Sequence, residues 1–132
     1  MKFIILALFF FSTWASAKEI NSIPNEYIGL WGDSVRTCKT KEPNGDFMLL
    51  VNVTPKLIEG SYAESSFTFK PIFIEDDWMH NKALPTAGWY APYYDEDGDQ
   101  QQKQPVLMNV TLFKERNGLY ILPLASTKLV KC

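Results

Sequence analysis

Apolar and polar positions alternate with a period of two along much of this chain, and proline, glycine and asparagine interrupt the alternation at short intervals. Tyr27, Gly29 and Trp31 alternate with Ile28 and Leu30, which is strand spacing. Residues 47–54 (FMLLVNVT) read as a strand too apolar to leave one face fully wet, and Pro55 ends it. Residues 56–61 (KLIEGS) read as a short return strand. Residues 67–74 (FTFKPIFI) put Phe67, Phe69 and Phe73 on one face, with Pro71 marking an edge or a bulge. Residues 105–115 (PVLMNVTLFKE) form a second strong strand, and Arg116-Asn117-Gly118 is the best hairpin turn in the chain. Residues 119–124 run back, and residues 127–132 close the pattern. The one place for a helical turn is 75–85, where Asp76 or Asp77 would cap it. Residues 95–104 (DEDGDQQQKQ) read as a solvated, mobile loop. The pattern predicts an all-β protein of about seven to eight strands: a small antiparallel β-barrel or a compact sandwich, with at most one short helical turn.

The start of the chain follows a different rule. Lys2 precedes an unbroken apolar run from Phe3 to Phe11, and Ala15-Ser16-Ala17 is an A-x-A site followed by polar Lys18. That is the layout of a secretory signal peptide over residues 1–17. The run is far shorter than the roughly 20 apolar residues of a membrane span. Cleavage after Ala17 leaves residues 18–132 as a single domain, periplasmic or secreted, without membrane insertion. The formal net charge of −2 at pH 7 becomes one unit more negative once Lys2 is gone. This mild acidity, with no basic stretch, argues against nucleic acid as a partner.

Export gives meaning to the two cysteines, Cys38 and Cys132. An exported chain with one pair of cysteines predicts one disulfide between them. A redox or metal role lacks neighbours, since there is no C-x-x-C and His80 is the sole histidine. The pairing raises a geometric question. In an up-and-down barrel of even strand number, the last strand ends beside the start of the first, yet Cys38 lies beyond the first strand's end. Either residues 34–38 fold back, or the strand count is odd and the closing pair is parallel.

The G-x-W of Gly29 and Trp31 resembles the opening signature of the lipocalin and avidin-like (calycin) barrels. The resemblance implies that Trp31 closes one end of a barrel whose other end holds a ligand. Arg36 is expected over the Trp31 face as a cation–π partner, making Gly29, Trp31 and Arg36 the barrel-closing group. The wider layout is similar to that of small exported bacterial proteins with a P-x-x-x-x-G-x-W start (Pro24 to Trp31), a cysteine soon after and a terminal cysteine. The chain is shorter than a usual lipocalin and lacks that family's other short motifs.

No constellation carries catalysis. There is no G-x-S-x-G, and His80 would have to be the base of any triad. Asp95, Asp97 and Asp99 alternate around Gly98, but the sixth and twelfth positions of a calcium loop are not filled by Gly and Glu. Glu75, Asp76, Asp77 and His80 lack a second histidine, so no metal and no cofactor is expected. The sequons at Asn52 and Asn109 fall inside predicted strands and read as ordinary strand residues. The remaining signal is aromatic: Trp78, Trp89, Tyr90, Tyr93 and Tyr94, followed by Asp95, Asp97 and Asp99. Tyr and Trp anchor interfaces, and an acidic tip steers a basic partner. The sequence therefore predicts a monomeric, non-enzymatic binding protein. One reading is a lipocalin-like barrel for a small apolar or aromatic ligand, with Trp89, Tyr90 and Tyr93 near the mouth. The other is an inhibitor or immunity-type module that binds a basic protein through residues 78–99.

Overall fold

A computed structural model describes residues 19–40, 48–62, 65–75, 83–96, 99–102 and 104–132, with the backbone alone for those of residues 94–102. The architecture is a closed, antiparallel β-barrel, not a sandwich. A 3₁₀ turn at Asn25–Tyr27 leads into β1 (Gly29–Gly32), followed by a short helix α1 (Val35–Thr40). Then come β2 (Leu50–Val53), β3 (Ile58–Ser61), β4 (Ser65–Ile74), β5 (Ala83–Glu96), β6 (Asp99–Gln102), β7 (Val106–Glu115), β8 (Gly118–Leu122) and β9 (Ala125–Lys131). The strands run β4-β3-β2-β1-β9-β8-β7-β5, and β5 pairs back onto β4 to close the ring. β6 extends the hairpin at the far end of β5, pairing Tyr93 to Glu96 with Gln102 to Asp99. Part of the segment expected as a mobile loop is therefore strand: once β5 continues past the barrel rim, its free edge is satisfied by the chain folding straight back.

The expected alternation is what fills the barrel. Val51 and Val53 on β2, Phe67 and Phe69 on β4, Leu84 on β5, Val110 and Leu112 on β7, Leu119 and Ile121 on β8 and Leu129 on β9 all point inward and are at most 4% exposed. One position departs from it. Phe73 was expected beside Phe67 and Phe69 but is exposed, because a bulge between Pro71 and Phe73 shifts the register and turns Ile74 inward instead. An extra residue in one strand moves every later side chain to the opposite face. Gly88 accommodates this bulge: a Cβ there would stand 2.2 Å from the Lys70 carbonyl oxygen and 2.7 Å from the Pro71 Cα. Gly88→Ala is expected to destabilise the fold by about 1–3 kcal/mol, the usual cost of overpacking, read as a lower urea midpoint at unchanged slope.

One end of the barrel is plugged by the residues before β1. The Ile20 amide donates to the Ile74 carbonyl at 2.9 Å and the Ile23 amide to the Pro55 carbonyl at 2.9 Å. These bonds draw the leader across the β2–β3 turn and the end of β4, and Ile23 and Tyr27 are buried beneath it. The strand expected from Tyr27 thus begins only at Gly29, with Tyr27 in the 3₁₀ turn. Gly29 takes φ +137°, a conformation that favours glycine, and this lets the chain leave the plug and enter the sheet.

The disulfide question is answered at the closing seam. β1 and β9 are antiparallel, with Trp31 opposite Lys131 and Gly32 opposite Val130. The Cys132 amide donates to the Leu30 carbonyl at 2.9 Å. Cys132 therefore sits beside the middle of β1, and the chain after β1 turns back as α1 to meet it. Cys38 and Cys132 form a disulfide with Cα atoms 4.8 Å apart. The sequence pattern predicts no helix here. Six residues are too few to show helical periodicity, but its caps are ordinary ones: the Thr37 amide donates to Ser34 Oγ at 3.1 Å and the Thr37 hydroxyl to Asp33 Oδ1 at 2.6 Å. The expected helical turn in 75–85 falls largely on residues 76–82, outside the described residues, and its end, from Ala83, belongs to β5.

Candidate functional site

Three regions of the barrel bear on function: the plugged end, the outer wall of β4, β5 and β7, and the opposite rim. At the plugged end, Trp31 is buried, and its indole N–H donates to the Tyr27 carbonyl at 3.1 Å. The cation over the ring is Lys131, with Nζ 5.8 Å from the centroid, in place of the expected Arg36. Arg36 is exposed on α1. The fold-back that delivers Cys38 carries Arg36 away, while the antiparallel closure puts Lys131 directly across from Trp31.

The aromatic segment is β5, and strand geometry divides it between two faces. Tyr90 packs against the core, its ring 5.8 Å from that of Phe67 across the β4–β5 pair. Trp89 points the other way and is 45% exposed. Its register neighbours are Lys70 on β4 and Leu107 on β7, the latter 62% exposed. Phe73, opposite Ala87, and Ile72 in the bulge are exposed as well. They extend Trp89 and Leu107 into an apolar stripe across three strands of the outer wall. Tyr93, half-buried, follows on β5, and the backbone of Tyr94, Asp95 and Asp99 runs on into the β5–β6 hairpin. Trp78 and Asp97 lie outside the described residues, as do Asp76, Asp77 and His80 of the acidic segment. Among the described residues no group of three His, Cys, Asp or Glu side chains is placed to hold a metal ion. No helix among them is long and apolar enough to cross a membrane.

The rim opposite the plug contains residues that the sequence did not single out. A cavity of about 220 Å³ is lined by Asp33, Leu49, Tyr62 and the 123–127 segment between and into β8 and β9. Asp33 is fixed there: Oδ2 accepts the Leu49 amide at 2.9 Å and Oδ1 accepts the Thr37 hydroxyl. Burial, and then the Asp33 carboxylate, push the Tyr62 phenol above its usual value of 10.0. The unfolded chain then loses this proton before the folded one does. The Tyr62 contribution to stability is whole below pH 10 and is lost as pH rises through the folded value. Base titration followed by tyrosinate absorbance should show Tyr62 ionising late, and Asp33→Asn should bring that ionisation earlier by removing the repulsion between phenolate and carboxylate.

The chain matches no protein-family model, no curated protein and no solved structure at a significant level.

Proposed function

We propose that this chain is an exported, non-enzymatic binding protein that engages a basic protein through the outer wall of its barrel. The observation that carries this reading is the outward-facing stripe of Trp89, Leu107, Phe73 and Ile72. A large aromatic exposed among apolar neighbours on a regular strand loses contact with water only when something covers it, and such residues are the usual anchors of protein interfaces. Asp95 and Glu96 at the end of the same strand, with Asp99 at the start of β6, favour a partner with a basic rim and speed encounter. Export rests on the leader over residues 1–17, and the Cys38–Cys132 disulfide fits an oxidising compartment such as the periplasm or the exterior. A small apolar ligand inside the barrel is the weaker reading, because Trp31, Phe67 and Phe69 and the inward-facing aliphatics occupy the interior, as is usual for barrels this narrow.

The test is surface plasmon resonance of the mature chain against a lysozyme-class enzyme as basic probe, at low and raised salt. Trp89→Ala is expected to weaken binding about tenfold or more while lowering the melting temperature only slightly, since cross-strand contacts of a partly exposed residue contribute about 0.2–1 kcal/mol. Equal binding by wild type and Trp89→Ala removes the outer wall from the reading. A small molecule released on denaturation of protein purified from its own host would favour the ligand barrel.

A further inference from the structure

The cavity at the rim arises from the way the barrel closes. β1 ends at Gly32, opposite Val130, whereas β9 begins at Ala125. The first residues of β9 therefore run past the end of β1, and the wall has a notch between β9 and the start of β2. Asp33 and Leu49 stand on one side of the notch, Leu124, Ser126 and Thr127 on the other, and Tyr62 reaches in from the β3–β4 turn. Among the described residues Asp33 is the one charged side chain in this lining. Its carboxylate is held by two hydrogen bonds, while a carboxylate has about four acceptor sites. It is thus oriented in advance and retains acceptor capacity. The hydroxyls of Tyr62, Ser126 and Thr127 add further polar partners, and Leu49, Leu124 and Ala125 supply an apolar floor.

We infer that this notch is a binding site for a cation on a short aliphatic stem, an alkylammonium or alkylguanidinium, with the charge at Asp33 and the stem over Leu49 and Leu124. A volume of about 220 Å³ suits a chain of a few carbons and a head group. An anion is disfavoured by the Asp33 carboxylate, and a neutral molecule of the same size leaves Asp33 without a charge-assisted partner. The site is independent of the outer-wall reading, since Trp89 and Leu107 contribute nothing to it.

The experiment is an NMR titration of the disulfide-bonded protein with n-butylammonium, with n-butanol and butyrate as controls of equal stem length. Butylammonium is expected to shift the Leu49, Tyr62 and Ser126 amides and to bind about tenfold more tightly than butanol, the factor that one charge-assisted bond supplies. Asp33→Asn should abolish that advantage. Because Asp33 also caps α1, Thr127→Phe at the exposed rim provides a second variant that blocks the notch without touching the cap. Equal affinity for the cation and butanol, or a butylammonium response unchanged in Thr127→Phe, overturns the proposal. N-acetyl-lysine methylamide separates the two sources of such a cation. Binding as tight as butylammonium assigns the site to a lysine side chain of a protein, and exclusion by the peptide backbone assigns it to a free amine.

Discussion

Replacing both cysteines (Cys38→Ala with Cys132→Ala) is expected to lower the unfolding free energy by about 2–5 kcal/mol. The bridge spans 94 residues of sequence, so it constrains nearly the whole domain in the unfolded state, and the chain-entropy model assigns loops of this length roughly 4–5 kcal/mol. The folded state depends on it at a particular place. β1 meets β9 through two register pairs and the Cys132-to-Leu30 bond, whereas β4 and β5 meet along most of their length. The bridge ties α1 to the end of β9 and holds this short seam together. Urea denaturation of oxidised wild type and double variant measures the loss. Hydrogen exchange should show the Gly32, Val130 and Cys132 amides losing protection first, while the β4–β5 amides change least. Uniform loss of protection would mean that the bridge acts on the unfolded chain alone.

Trp31→Ala is expected to cost about 3–5 kcal/mol, the range for deleting a large buried aromatic. The substitution opens a void under the plug, removes the indole donor to the Tyr27 carbonyl and takes away the ring over which the Lys131 ammonium sits. Trp31→Phe keeps a ring but not the donor, and should cost less, with the hydrogen bond accounting for about 1 kcal/mol of its effect. Chemical denaturation of the two variants separates packing from hydrogen bonding. Equal losses would mean that the indole N–H, not the ring volume, fixes the plug.

Much of the barrel can be read from the sequence because its interior is built by strict alternation. Val51 and Val53, Phe67 and Phe69, and Val110 and Leu112 each face inward where period two puts them, and Arg116-Asn117 is the turn between β7 and β8. The reading fails where another constraint overrides the local pattern. A bulge exposes Phe73. Pro85, Gly88 and Pro92 disguise β5, whose residues gain their strand conformation from long neighbours on both sides. α1 is too short for periodicity, and only the Asp33 and Ser34 caps mark its start. Aromatic proximity along the chain is also misleading: Trp89 and Tyr90 are adjacent in sequence and face opposite sides of the sheet. The rim cavity is illegible in principle, since Asp33, Tyr62 and Ser126 meet only after β9 has closed against β1.

These features give the barrel a packed interior, a plugged end, a notched rim and an apolar outer wall. The working surface proposed above lies outside the cylinder, because Trp31, Phe67, Phe69 and the inward-facing aliphatics fill the interior. The most direct measurement of this claim is an NMR titration of the isotope-labelled mature chain with a lysozyme-class basic enzyme, following backbone amides and tryptophan indoles. The account predicts shifts at Lys70 to Phe73, Ala87 to Tyr93 and Val106 to Asn109, including the Trp89 indole, with the Trp31 indole unmoved. Shifts centred on inward-facing residues such as Phe69 and Leu129, or no response along the β4–β5–β7 wall, would contradict it.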